Sequence, residues 1–226
     1  FALINCNIMD TNNISSAIKG STTVINLVGV LETKKNNSFQ GAHIEGTKNL
    51  ALACKKNNIE NLIHISALGV DKSKTSKYAV SKLMGEKNIK EFNDSVIIRP
   101  SIVCGEEDNF INFFARFARI SPFIPLIGGG ITKFQPVHVT DLVNIIILSI
   151  ESKNKKGQLV ELGGPDILSF KQILECFEPF SSKNFRKNKA IFWCTIQLQS
   201  EELMLFLFGN AIMNTYLTST YFERFM

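Results

Sequence analysis

The sequence predicts an α/β protein built on a parallel sheet. Two observations carry that expectation. Short β-branched apolar runs alternate with segments of helical periodicity, and the connections between them are short. One run, Leu62-Ile63-His64-Ile65, is nearly unbroken in apolar character, as a strand buried on both faces should be.

The elements follow in order. Phe1-Ala-Leu-Ile-Asn-Cys reads as the end of a buried strand, and Asn7 to Asp10 as its exit turn. Asn12, Asn13 and Ser15 offer helix caps for a short helix around Ile14 to Lys19, which Gly20 stops. Thr23 to Gly29 is a second strand, and Glu32 to Ser38 a polar loop. Helical periodicity runs from His43 to Asn57 through Ile44, Leu50, Leu52 and Ala53. The Leu62–Ile65 run closes at Ser66, a polar loop follows, and a helix begins near Tyr78. Ser95 to Pro100 is a fourth strand, which Pro100 ends. Beyond Asp108 the pattern changes. Phe110, Phe113, Phe114 and Phe117 form an aromatic stripe at helical spacing, read as core. Ser121 to Pro125 breaks that helix, and Leu126 to Gly130 is read as a turn. A helix starts near Thr140 or Asp141 and runs to Ile150; Gln158 to Pro165 is a strand and turn; Ser169 opens another helix, and Glu202 to Gly209 is a short apolar segment, read as a core helix, a membrane-surface helix or sequence altered by a frame change.

Composition excludes several classes. The 226 residues are 45% hydrophobic and 20% charged, enough for one large domain with a small annex. The net charge of +5 comes without a long basic block, so nothing points to nucleic acid. The five cysteines are scattered and never CxxC, and read as reduced thiols. The three histidines, His43, His64 and His138, lack zinc-ligand spacing, so no metal is expected. No apolar run reaches the roughly 18 residues of a spanning helix.

Tyr78 and Lys82 are four residues apart and share one helix face. A lysine ammonium beside a phenol favours the phenolate. A hydroxyl from Ser66, at the end of the preceding strand, would hold a substrate oxygen near that phenol. Tyrosine, lysine and serine so placed make a proton-transfer site. In open parallel sheets ligands sit at the carboxyl ends of the strands, here Asn7, Gly29, Ser66 and Pro100.

The stretch from Asn61 to Lys87 resembles the active segment of the extended or atypical short-chain dehydrogenase/reductase superfamily. The successive blocks INLVGVLE, ISALGVD, YAVSKLMGE, IIRPSIVCGEEDNFINFFARFARISPFIPLIGGG, KFQPVHVTDL and ELGGP narrow that resemblance. They are similar to the NAD-dependent epimerase/dehydratase-like family that contains the nucleotide-binding accessory subunit of respiratory complex I and its bacterial relatives. The resemblance covers roughly residues 1–175. It implies a Rossmann-type domain over 1–175, with segments of a small substrate lobe, and a divergent tail over 176–226, helical or poorly ordered.

By the resemblance Tyr78 is the acid/base, Lys82 binds the nicotinamide ribose and tunes Tyr78, and Ser66 orients the carbonyl. Asn7 and Ile8 would lie at the adenine, although Asn7 stands where the pattern usually has Asp. Leu27, Val28 and Gly29 would pass under the ribose and pyrophosphate, and Pro100, Ser101 and Ile102 would frame the nicotinamide. His43 stands where extended members often carry Asn, and Cys104 replaces a frequent aromatic. Arg99 and Asp141 would each join the substrate half to the sheet. The implied cofactor is NADP or NAD.

Two departures temper this. The family's Gly-rich phosphate turn would precede Phe1, and no GxxGxxG occurs in the sequence. With Phe1 opening the chain inside an apolar run, the expectation is an N-terminally truncated domain that binds dinucleotide weakly. Beyond Cys176 the family pattern fades. The functions implied are an NAD(P)-binding accessory subunit of the complex I type, an active NAD(P)-dependent reductase or sugar-nucleotide epimerase/dehydratase, or a structural or assembly subunit. The partners implied are dinucleotide and complex I subunits or a membrane surface. The site implied is the mitochondrial matrix side or a bacterial cytoplasm, peripheral to the inner membrane.

Overall fold

The computed structural model describes residues 2–33, 38–120, 123–152, 157–177 and 192–196. In chain order, α1 (Thr11–Ala17) and β1 (Thr23–Asn26) precede a π-helical turn (Gln40–Glu45) that runs into α2 (Gly46–Lys56). Next come β2 (Asn61–Ile65), α3 (Lys77–Lys90), β3 (Ser95–Pro100), β4 (Val103–Cys104), α4 (Asn109–Ile120) and β5 (Phe123–Ile127). After the turn Gly128–Gly130 come β6 (Lys133–Phe134), β7 (Val137–His138), α5 (Val139–Glu151), β8 (Gln158–Leu162), β9 (Leu168–Ser169), α6 (Phe170–Phe177) and β10 (Phe192–Ile196).

The predicted α/β architecture is present: β1-β2-β3-β8 form a four-stranded sheet, parallel throughout and flanked by helices. Leu62 and Ile63 are adjacent in β2 and both fully buried, so both faces of the sheet are covered there. One core gathers Ile14, Leu50, Ala53, Cys54, Leu62, Ile89 and Ile97 from α1, α2, β2, α3 and β3, with Ile59 and Phe92 from the connections that follow α2 and α3. Each such aliphatic side chain contributes roughly 1.5–3 kcal/mol on burial, more than any single cap.

The chain divides into two compact units. One is Phe1–Pro100 with Thr140–Leu162, and the other Ser101–Val139 with Gly163–Met226. The first holds the parallel sheet. The second pairs β4 with β7, β6 with β9, and β5 with β10. Its core is a set of ring contacts among Phe110, Phe114, Phe134 and Phe170. Phe113 and Phe117, on the same α4 stripe, stay partly exposed, so only half of that stripe is core.

Several local expectations need correction. The strand end expected from Phe1 to Cys6 is not formed in residues 2–6, where Leu3 is 95% exposed. A strand needs a ladder partner, and among the described residues β1 pairs only with β2. The cap of α1 is Asp10, whose carboxylate accepts the Asn12 and Asn13 N–H groups, not one of the residues after it. The second strand ends at Asn26, three residues early, because the Val28 N–H goes to the Asn26 side chain and the Val30 N–H to His43. Phe123–Ile127, read as helix break and turn, is a strand, because its partner comes from Phe192–Ile196 at long range. The apolar segment Glu202–Gly209 and most of the expected tail lie outside the described residues.

Candidate functional site

Register and pleat decide which side chains face α3. Asn26 pairs with His64, and His64 with Ile97. Side chains two apart on a strand share a face. Asn26, His64, Ser66 and Arg99 therefore lie on one face, and Ser66 and Arg99 reach Glu86 of α3.

Ser76 starts α3 by accepting the Ala79 N–H at 3.3 Å. Tyr78, Lys82 and Glu86 then follow at intervals of four, on one helix face. The Ser66 hydroxyl donates to Glu86 Oε1 at 2.6 Å. The Arg99 guanidinium grips the same carboxylate with two bonds, Nε to Oε1 and Nη2 to Oε2, each 2.8 Å. Its Nη1 reaches Glu161 at 3.2 Å and Asp71 at 3.3 Å. Two-pronged, charge-assisted bonds of this kind are among the strong ones. All of these partners lie within the sheet unit, so Arg99 ties α3 and β8 to β3; the expectation that it joins the substrate half is corrected.

The Lys82 ammonium is buried and donates to the Ile65 carbonyl at 2.9 Å. Burial, opposed by the charge of Glu86, lowers its pKa to about 8. Tyr78 is half-buried, with its ring edge-on to those of His43 and Phe39 at 5.6 and 6.0 Å. Lys82 and Ser66 thus meet the same strand end, Lys82 at the carbonyl just before Ser66.

Asn26 and His64 form a second buried pair. Asn26 Oδ1 accepts the Val28 N–H, so its Nδ2 donates to His64 Nδ1 at 3.0 Å. The neutral ring then carries its proton on Nε2. That N–H is buried without a hydrogen-bond partner among the described residues. Burial, with Lys82 and His43 nearby, holds His64 well below its usual pKa.

The other predicted residues lie at strand ends or turns. Asn7 is exposed, and its Oδ1 accepts the Met9 N–H. Ile8 packs against Gly46 and the core, while Asn49 donates to the Ile8 and Met9 carbonyls. Leu27, Val28 and Gly29 form the exit turn of β1. Pro100 ends β3 opposite Leu162, and its carbonyl accepts the Leu68 N–H. Ser101 and Ile102 follow it in the chain, and the Ile102 carbonyl accepts the Val137 N–H. Among the described residues no cluster of metal-ligating side chains occurs.

Sequence patterns did not single out Glu86, Asn26 and His64. Glu86 had a signal, since it extends the Tyr78–Lys82 spacing by another four residues. Asn26 and His64 had a weaker one: each is a polar residue inside an apolar strand.

The profile of the NAD dependent epimerase/dehydratase family matches residues 2–163. NADH dehydrogenase (ubiquinone) 1 alpha subcomplex subunit 9, mitochondrial, of Arabidopsis thaliana is 33% identical over 169 residues, 74% of this chain and 42% of that protein. Its namesake in Dictyostelium discoideum is 31% identical over 173 residues, 76% of this chain and 48% of that protein. The chain thus spans less than half the length of these relatives. Among solved structures, UDP-glucuronic acid 4-epimerase from Bacillus cereus in complex with NAD aligns with a TM-score of 0.69 at 22% identity, over 83% of this chain and 68% of that one. DesIV, a dTDP-glucose 4,6-dehydratase from Streptomyces venezuelae, solved as a double mutant with NAD and DAU bound, aligns with a TM-score of 0.69 at 17% identity, over 84% and 65%. At these identities the likeness is one of fold.

Proposed function

The chain belongs to the NAD dependent epimerase/dehydratase family, and from that premise we propose that it is a dinucleotide-binding subunit of the respiratory complex I accessory type, holding NAD or NADP without turning it over. The observation that carries this reading is the Ser66 hydroxyl, 2.6 Å from Glu86 and buried. To polarise a substrate carbonyl Ser66 would have to release its proton from a carboxylate that Arg99 also holds with two hydrogen bonds. The Lys82 ammonium is likewise engaged by the Ile65 carbonyl.

The residues fit the nicotinamide-ribose half of a dinucleotide. Lys82 has three N–H donors and spends one on Ile65, and the β1 exit turn with the β2 and β3 ends brings Gly29, Ser66 and Pro100 to one sheet edge. Asn7 and Ile8 would serve the adenine, Leu27 and Val28 the ribose and pyrophosphate, and Ser101 and Ile102 the nicotinamide. A bound NAD(P) would supply hydride chemistry there. The proposed partners are complex I subunits, because the named relatives are subunits of that enzyme. The proposed location is mitochondrial and peripheral. Among the described residues no helix is long and apolar enough to cross a membrane.

A second reading, an active reductase or sugar-nucleotide epimerase/dehydratase, is favoured by Tyr78 and Lys82 sharing one face of α3. Three measurements test the readings. Calorimetric titration of the 226-residue chain with NADPH and NADH should give binding weaker than micromolar. Each charge-assisted bond that a Gly-rich turn would supply is worth ~1.5–3 kcal/mol, and the sequence has no such turn. Native electrophoresis of respiratory membranes should find the protein migrating with complex I. Multiple-turnover oxidation of NAD(P)H with a carbonyl substrate, or redox-neutral epimerisation or dehydration of a nucleotide sugar in the presence of NAD, would overturn the subunit reading in favour of the enzyme.

A further inference from the structure

One side chain connects the β1 exit turn to α3. His43 sits in the π-helical turn Gln40–Glu45 and is 2% exposed. Such turns are rare and occur frequently at functional sites. His43 Nε2 accepts the Val30 N–H at 2.9 Å. An accepting nitrogen bears no proton, so the neutral ring is protonated on Nδ1. Nδ1 stands 2.8 Å from Ser81 Oγ and donates to it, and the Ser81 hydroxyl donates on to the Tyr78 carbonyl at 2.7 Å. The ring itself meets Tyr78 edge-on, at 5.6 Å and 81°, and stacks on Phe39 at 5.6 Å and 18°.

The surrounding backbone is built for that placement. A Cβ on Gly85 of α3 would collide with the His43 carbonyl, so only glycine lets the π-turn approach the helix this closely. The same carbonyl accepts the Thr47 hydroxyl at 2.6 Å. Burial first, and the Lys82 charge second, hold the His43 pKa at about 3, which keeps the ring neutral at physiological pH.

We propose that His43 is a positioning residue, a neutral pin that locks the Val28–Val30 turn to the first turn of α3 and so fixes where Tyr78 presents its phenol. Each ring nitrogen has one task. Nε2 sets the turn that leaves β1, and Nδ1 sets the start of α3. Phe39 and the Tyr78 ring both pack against the imidazole and against each other. The inference rests on the reading of Gly29 and Tyr78 as nucleotide-site residues, but its test needs no nucleotide, so the two can fail separately.

The test is NMR on the full chain, labelled with nitrogen-15 and with carbon-13 at tyrosine Cζ. Unsubstituted protein should show His43 protonated on Nδ1, bare at Nε2, and not titrating from about pH 5 to 8. His43→Asn places a donor near Nδ1 and removes the acceptor. It should move the Val30 amide by more than its linewidth and leave Tyr78 Cζ nearly in place. His43→Gln places an acceptor near Nε2 and removes the donor, and should do the reverse. His43→Ala should move both. A His43 protonated on Nε2, a His43 that titrates in that range, or a Tyr78 resonance unmoved by His43→Gln would overturn the proposal. The tautomer is read on the unsubstituted chain, so the proposal can be overturned even if a variant fails to fold.

Discussion

The two compact units bury different chemistry. In the sheet unit Asn26, His43, His64, Ser66, Lys82, Glu86 and Arg99 are each no more than 5% exposed. In the second unit the buried polar side chain among the described residues is Asp108, which accepts the Ile111 N–H of α4. Its interior is phenylalanine: Phe110 on Phe114 at 5.5 Å, Phe114 on Phe170 at 5.1 Å. Apolar packing tolerates swaps of similar volume, whereas a buried polar network fails when one member is removed. The candidate chemistry sits in the unit with the least tolerance.

The largest expected effect tests that contrast directly. Arg99→Met strips Glu86, 1% exposed, of its two-pronged partner and should cost about 3–5 kcal/mol in urea unfolding. Arg99→Lys should recover little, because lysine lacks the planar fork. In the aromatic unit Phe110→Ala should cost about 3 kcal/mol, but Phe110→Leu less than about 1.5 kcal/mol. If the two conservative changes cost the same, the units do not differ in the way described.

Next in size is an effect of Lys82. Its pKa falls from an ordinary 10.5 to about 8 in the fold. Between those values the unfolded chain holds a proton that the folded chain has released, so stability rises with pH across that window. The gain is on the order of 3 kcal/mol. Lys82→Met should abolish that rise. Parallel curves for the two proteins would show that the ammonium is not buried as described.

The histidines act on the acid side. His43 falls to about 3 and His64 well below its ordinary value of 6.5. As pH drops below about 6.5 the unfolded chain takes up protons that the folded chain refuses, so stability falls toward acid. Each histidine contributes up to about 1.4 kcal/mol per pH unit in that window. Guanidinium midpoints at about pH 5 and 7 should differ less in His64→Phe than in the unsubstituted chain. An equal difference would remove His64 burial as a cause.

The contrast between units also explains what the sequence made legible. The sheet unit was readable because its strands are local statements: Leu62–Ile65 and Ser95–Val-Ile-Ile-Arg–Pro100 announce burial by composition alone. Tyr78 and Lys82 were readable because helical spacing puts them on one face. What failed was whatever depends on a distant partner. Phe123–Ile127 becomes a strand only because Phe192–Ile196 runs beside it. Residues 2–4 stay out of the sheet, with no ladder partner among the described residues. The early end of β1 depends on where His43, 13 residues on from Val30, points its Nε2. For the same reason the commitment of the Ser66 hydroxyl was hidden. Ser66 and Glu86 are 20 residues apart, and only the pleat of β2 and the face of α3 bring them together.

The smallest effect bears most on function. Ser66→Ala removes one hydrogen bond to a charged acceptor, a contact worth about 1.5–3 kcal/mol. Glu86 Oε1 keeps its bond from Arg99 Nε, so the carboxylate is not stranded and the net cost should fall to about 1–2 kcal/mol. The subunit reading predicts that this cost appears in unfolding, while dinucleotide binding changes less than about twofold, because the serine proton already belongs to Glu86. The enzyme reading predicts the opposite pattern, a small change in stability and a large fall in turnover, because the hydroxyl would polarise a substrate carbonyl. Urea unfolding and NADPH titration on the same two proteins separate these cases. An unchanged unfolding midpoint in Ser66→Ala would mean that the Ser66–Glu86 contact does not hold the strand end to α3. It would also remove the observation on which the subunit reading rests.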